Sequence, residues 1–161
     1  MNNLILIFFV TFIMLFFIAY ALIQYNRKSN NKKIENNVRA YIVKKYENLN
    51  GQMILYPFVN SELNQRIFPE KYNFIFCSFG LIILSKHYEP IIILCSQKAY
   101  YIENITINKC NLLKYEINSK RVELHLLGIG HITKIKIIVK LYSKEMGEEI
   151  YKLINDLKLI I

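Results

Sequence analysis

The sequence predicts an α+β chain. An N-terminal transmembrane helix and an amphipathic helix lead into an antiparallel β barrel or sandwich of about seven strands, closed by a C-terminal helix. Three observations carry this expectation. No Asp, Glu, Lys or Arg occurs before Arg27. From Gln52 to Leu141 the chain is a series of short apolar runs rich in β-branched and aromatic residues, with no crossover-helix pattern between them. After Ser143 the apolar residues switch to helical spacing. With 161 residues and 53% hydrophobic content, the chain has material for one core plus an anchor and is too apolar for a disordered class. Three cysteines exclude a disulfide-stapled miniature scaffold.

Taken in order, residues 1–3 form a short N-terminus and residues 4–23 an apolar run interrupted only by Thr11. A helix of about 20 residues spans about 30 Å, the thickness of a bilayer's hydrocarbon core. Ala19-Tyr20-Ala21 has the form of a signal-peptide cleavage site, but Met1-Asn2-Asn3 lacks the basic residues of a signal's first region. Residues 24–33 read as a basic juxtamembrane linker. Arg27, Lys28, Lys32 and Lys33 precede the first acid, Glu35, and are the candidate membrane-surface contacts. The positive-inside rule then keeps this flank in the cytoplasm and the N-terminus outside, giving a single-pass cell-membrane protein. Residues 34–161 form the β domain with its flanking helices.

Within that domain, Ile34, Val38, Tyr41, Ile42 and Leu49 recur at roughly helical spacing, predicting an amphipathic helix over Ile34 to Asn48 ended by Asn50-Gly51. Strands are expected at Gln52 to Val59, Tyr72 to Cys77, Leu81 to Ser85, Ile91 to Cys95, Ala99 to Ile107 and Asn111 to Ile117. The last hairpin is the clearest. Val122, Leu124 and Leu126 alternate with Arg121, Glu123 and His125, and Ile135, Ile137, Val139 and Leu141 alternate with Lys134, Lys136, Ile138 and Lys140. A register that pairs Leu124 with Ile135 and Val122 with Ile137 sets Glu123 opposite Lys136, and leaves Gly128-Ile129-Gly130-His131 as the loop. Ser143 then caps a helix whose first turns are acidic, and Met146, Ile150, Leu153, Ile154 and Leu157 form its apolar stripe.

Gly80-Leu81-Ile82-Ile83-Leu84, Tyr101-Ile102-Glu103-Asn104-Ile105, the hairpin through Gly128, and Glu148-Glu149-Ile150-Tyr151-Lys152-Leu153-Ile154 together resemble the pleckstrin-homology-like (PH-like) superfold in its membrane-tethered bacterial form. The resemblance covers Tyr72 to Leu157, and the Trp usual in that family's closing helix has no counterpart here. It implies a binding or scaffolding module, with lipid headgroups or proteins as ligands in some members.

Catalytic chemistry is not evident. Asp156 is the sole Asp, no Ser/His/Asp or Cys/His arrangement follows from spacing, and Gly128-Ile129-Gly130 precedes a strand, unlike a phosphate loop. Cys77, Cys95 and Cys110 read as free, buried thiols. His87, His125 and His131 lack ligand spacing with them, so neither metal nor cofactor is expected. Asn104-Ile105-Thr106 has the form of a glycosylation sequon, which matters only in a lumenal setting.

Arg121, Lys134, Lys136 and Lys140 share the outward face of the last hairpin. They form either a weak membrane-attracting basic face or a solvated strand that deters edge pairing, and Glu123 in their midst favours the second reading. No nucleic-acid partner is expected. The leading expectation is a non-catalytic interaction or scaffold module at the cytoplasmic face, with the bilayer and a membrane or cytoplasmic protein as partners. The alternative is an exported structural component of a secretion or cell-envelope assembly with two cysteines joined. A membrane-bound enzyme with an unrecognised site is the third.

Overall fold

A computed structural model describes residues 2–56, 66–94, 108–128 and 134–159. One helix, α1, runs without interruption over Asn2–Val38 and ends in a single 3-10 turn, Arg39–Tyr41. Seven strands follow: β1 Ile42–Tyr56, β2 Arg66–Cys77, β3 Gly80–Ser85, β4 Ile91–Leu94, β5 Asn108–Ile117, β6 Arg121–Gly128 and β7 Lys134–Lys140. They close in sequence order into a barrel, with β7 pairing back onto β1, and helix α2, Lys144–Asp156, completes the chain.

The α+β architecture agrees with the sequence expectation, with four differences. The separate amphipathic helix over Ile34 to Asn48 is the first. Ile34 and Val38 do belong to a helix, but it is the last part of α1, and the chain becomes strand at Ile42. Asn50-Gly51, expected to terminate a helix, lies inside β1. The reason is a break in β1's register between Tyr46 and Leu49, where Asn48 adopts a left-handed φ of 55°. This bulge moves the buried positions to Tyr46, Leu49 and Met53, spacings of three and four that imitate a helix. The bulge is held from outside. Asn48 N–H donates to Asn73 Oδ1 at 2.9 Å, and Tyr142 Oη–H donates to the Asn48 carbonyl at 2.7 Å.

The second difference is that residues 24–33, read as a linker, are helical throughout and belong to α1. The third concerns strand direction. Six of the seven pairings are antiparallel, but β4 and β5 run parallel, so the barrel is mixed. Parallel neighbours need a long connection to return the chain to the same end, and residues 95–107 lie between β4 and β5 in the sequence. The fourth is the last hairpin's register. Leu124 faces Ile137 and Val122 faces Val139, two residues along from the expected pairing, and Glu123 faces Ile138 in place of Lys136. A two-residue shift leaves every side chain on the same face, so alternation fixes parity and cannot distinguish the two registers. Expectations for Val59, Cys95, Ala99 to Ile107, the sequon and His131 lie outside the described residues.

Two apolar layers hold the molecule. Inside the barrel, Tyr72, Phe74, Phe76, Leu81, Ile83, Leu112, Leu124 and Val139 pack together. Ile150, Ile154 and Leu159 close one end from the α2 side, and Cys110 belongs to the same layer. Ser143 Oγ accepts from the Met146 N–H at 3.2 Å, which makes Ser143 the N-cap, as its residue type predicts. Outside the barrel, Ile34 and Val38 of α1 cover Ile75, Cys77, Ile82, Leu84 and Ile92. Strand β3 is therefore buried along its whole length, which explains why Leu81 to Leu84 shows no polar alternation.

Gly51 marks the tightest approach of the barrel wall. A Cβ there would lie 2.4 Å from the Ile138 carbonyl oxygen and 3.1 Å from the Tyr72 ring. Pro69, which cannot donate to a ladder, sits where β2 pairs with β1 alone, since β3 joins β2 only from Tyr72 onward. Cys77 and Cys110 are free, one in the outer layer and one inside the barrel. Burial pushes their thiols up to about 12 and about 11, so both are inert at neutral pH.

Candidate functional site: the stalk and barrel junction

Helix α1 has two unlike halves. Residues from Ile5 to Ile23 are exposed, including nine consecutive large or apolar side chains from Phe12 to Tyr20, and an 18-residue window in the helix has a mean hydropathy of 2.8. This is the one helix among the described residues that is long and apolar enough to cross a membrane. From Gln24 onward the side chains alternate between solvent and barrel. Arg27, Asn31, Ile34 and Val38, at successive helical turns, face the barrel wall. Arg27 Nη1 donates to the His87 carbonyl, and Asn31 Nδ2 donates to the Ser85 carbonyl at 2.8 Å.

The loop that receives these bonds is itself fixed. Glu70 Oε2 accepts from His87 Nδ1 at 2.6 Å and from the His87 backbone N–H at 3.2 Å, and Ser85 Oγ accepts from the Tyr88 N–H at 2.9 Å. Lys45 reaches back to Glu35 at 2.9 Å, tying the start of β1 to the end of α1. The helix is thus fastened to the barrel over several turns by both apolar contacts and hydrogen bonds.

Alongside this seam lies an open-sided groove of about 1170 Å³, between α1 and the outer face of the sheet. A row of side chains crosses its floor, set by strand register. Arg121 on β6 faces Lys140 on β7. Gly51 faces Val139, so Asn50 is the β1 residue beside Lys140. Asn50 faces Lys71 on β2, and Tyr72 faces Ser85, so Lys86 continues beside Lys71 just past β3. Lys28 of α1 completes the wall. With strands about 4.8 Å apart, this row spans roughly 19 Å. Among the described residues, Lys28, Lys71, Lys86 and Lys140 have no carboxylate within ion-pair distance, and Arg121 is 3.7 Å from Glu123. Two acceptors at the seam, Gln24 Oε1 and Asn31 Oδ1, are buried without a hydrogen-bond partner.

The structure distributes the sequence-predicted basic residues unequally. Lys28, Arg121 and Lys140 line the groove, Arg27 is bonded to the barrel, and Lys32 and Lys33 point to solvent. Lys134 is exposed near the other end of β7. Lys136 is engaged elsewhere. Its Nζ contacts Glu123 Oε1, which His125 Nε2 also approaches at 3.0 Å. Lys71 and Lys86 were missed. Their signal is weak, a single charge at the border of an otherwise apolar strand.

Glu123 forms the second cluster. It is 5% exposed, and Glu116, directly opposite on β5, brings a second carboxylate close enough for Glu116, Glu123 and His125 to form a three-ligand set. The positive partners on Glu123 argue for an internal ion-pair network instead, because an incoming cation would have to displace the Lys136 ammonium. Burial opposes the Glu123 charge, but hydrogen bonds from Lys136 and His125 outweigh it and hold the carboxyl below its ordinary value. Comparison with family models, curated proteins and solved structures finds no match.

Proposed function

We propose that the chain is a single-pass, membrane-anchored, non-catalytic interaction module, with a PH-like barrel held at the cytoplasmic face of the membrane. The observation that carries this reading is the continuity of α1. Its exposed apolar half matches the bilayer, and its polar half is built into the barrel's outer layer. A helix of 37 residues is about 55 Å long, so about 25 Å extends past a hydrocarbon core of about 30 Å. The barrel docks on that extension, so the helix sets the height and orientation of the module, where a flexible tether would leave both free. A removable leader would have no need of such a seam, and Arg27 and Asn31 lie only a few turns beyond Ala21.

The advantage of such an arrangement is local concentration. A module confined to a surface meets membrane-bound partners at a high effective concentration, so weak contacts suffice. Basic residues after the apolar run favour the cytoplasmic side.

Lys152 on α2 is exposed and suits a reporter cysteine in a Cys95→Ser background, where Cys77 and Cys110 stay buried. In intact cells a membrane-impermeant maleimide is expected to leave Lys152→Cys unlabelled until the membrane is opened. Labelling of intact cells would place the barrel outside and overturn the cytoplasmic assignment.

A further inference from the structure

We propose that the groove between α1 and the barrel takes an acidic, extended polypeptide segment of a partner protein, laid across the face of the sheet and held through its side chains. The inference rests on the interaction-module reading and names the chemistry of the partner. Nothing in the PH-like resemblance implies it. Most of the groove is built by α1, β1 and the start of β2, which lie outside Tyr72 to Leu157, the segment that carries the resemblance.

Charge sets the sign of the occupant. Among the described residues, the groove is lined by five cations, Lys28, Lys71, Lys86, Arg121 and Lys140, and by one carboxylate, Glu70. With Glu70 counted at full charge and His87 neutral, five cations against one anion leave +4. Assigning Arg121 to Glu123, 3.7 Å away, still leaves +3. All five basic residues are exposed, and their long stems let the charged heads turn toward an anion in the groove.

Strand register sets the shape. Arg121 faces Lys140, Asn50 lies beside Lys140, and Asn50 faces Lys71, so these residues form a line across β6, β7, β1 and β2. Three strand spacings make that line about 14 Å long, the reach of about four residues of extended chain. A single small anion covers only part of it. At this level β7 is paired with β6 and β1, and β1 with β7 and β2, so neither strand offers a free edge for the segment to join. The segment therefore lies over the sheet face, with its acidic side chains directed at the lysines.

Two acceptors separate a polypeptide from other polyanions. Gln24 Oε1 and Asn31 Oδ1 are buried without a hydrogen-bond partner, and both residues line the groove. Asn31 Nδ2 is committed to the Ser85 carbonyl, which leaves Oδ1 as the unused end of that amide. Seven residues apart on α1, the two amides stand about 10 Å from each other along the helix, so an extended ligand is needed to meet both. Ionised carboxylates and phosphodiesters have no hydrogen to offer them, whereas the backbone N–H groups of a peptide do. Nucleobases also carry donors, but single strands are held by stacking on aromatic rings. The described lining holds one Tyr, Tyr25, and no Phe.

The test titrates the full chain in neutral detergent with an end-capped peptide of about ten residues alternating Glu and Ser, with binding followed by calorimetry. The comparison ligands are its Gln and Ser counterpart, a thymidine oligonucleotide of equal charge, and dihexanoyl phosphatidylglycerol. Saturable, salt-sensitive binding of the acidic peptide is expected, at least about tenfold tighter than that of any comparison ligand. The combined Lys71→Gln, Lys86→Gln and Lys140→Gln variant is expected to weaken it at least about tenfold. A charge-matched control, Lys32→Gln, Lys33→Gln and Lys152→Gln, is expected to bind as the unaltered chain does. Gln24→Met, which keeps the length of the side chain and removes its acceptor, is expected to weaken the peptide about threefold or more. Equal losses in the two lysine variants would reduce the effect to net charge and overturn the site. Unchanged affinity in Gln24→Met, or equal or tighter binding of the oligonucleotide or the lipid, would overturn the polypeptide assignment. Absence of acidic-peptide binding would overturn this inference alone, since the cytoplasmic reading answers to the maleimide labelling of Lys152→Cys.

Discussion

Replacing Ile34 by Ala is expected to lower the stability of the whole barrel by about 2–4 kcal/mol, a core-like penalty for a residue near the end of a long N-terminal helix. Ile34 is fully buried, and its neighbours Ile75, Ile82, Leu84 and Ile92 come from three strands. Removing most of its side chain leaves a cavity between helix and sheet that neither rigid element can close. The comparison variant is Lys33→Ala, one residue away on the solvent side, where the change is expected to stay within about 0.5 kcal/mol. Thermal unfolding of both variants in the same detergent decides the matter. A small effect at Ile34 would mean that the stalk is a tether and the outer apolar layer does not form.

The second large effect is expected from Lys136→Met, which keeps the length of the side chain and removes its charge. Glu123 then remains buried with His125 and the more distant Arg121 and Lys114 as its basic neighbours, and with the Glu116 carboxylate opposite it. Leaving a buried carboxylate without its main partner costs about 3–5 kcal/mol, less to the extent that His125 compensates. The pH dependence follows from the lowered carboxyl. In the unaltered chain, the stabilisation from the ionised form is complete above the ordinary value of 4.5 and is lost as pH falls through the depressed folded value. In Lys136→Met the carboxyl loses what held it down. The stability gap between the two chains should therefore be widest near pH 7 and narrow as pH falls toward 4. A gap independent of pH would show that Lys136 acts through its packing and not through Glu123.

The parts of the fold that were legible in the sequence are those fixed by local chemistry. Ser143, the acidic first turn and the stripe through Ile150 and Ile154 define α2, because caps and helical spacing act within a few residues. Alternation in β6 and β7 identified the buried set Val122, Leu124, Ile137 and Val139. The register between the two strands depends on where the hairpin closes and on β1 and β5 to either side, and no pattern within the hairpin encodes that. An ion pair between Glu123 and Lys136 survives the changed register, since residues diagonal across a ladder remain within reach of a long lysine.

Tyr46 and Leu49 misled for a physical reason. A bulge converts the period of two into a spacing of three, and the true helical residues Ile34 and Val38 come just before it. The parallel β4 and β5 pair was equally invisible, because strand direction is set by the path of the connection and not by the composition of the strands. The groove is the least local feature of all. Lys28, Lys71, Lys86, Arg121 and Lys140 come from five parts of the chain, and only barrel closure together with the docking of α1 gathers them around one groove. The sequence marks Arg121 and Lys140 as outward-facing but places them in one patch with Lys134 and Lys136. In the folded chain the row turns toward β1 and β2, while Lys136 is drawn to Glu123.

The claim on which the account depends is that the apolar half of α1 lies within lipid while its other half is part of the barrel. Washing isolated membranes with alkaline carbonate, followed by mass spectrometry of the sedimented chain, tests it most directly. The account predicts that the chain stays in the pellet and still carries the residues that precede Ala21. Release into the supernatant, or a pelleted chain that has lost those residues, would contradict it.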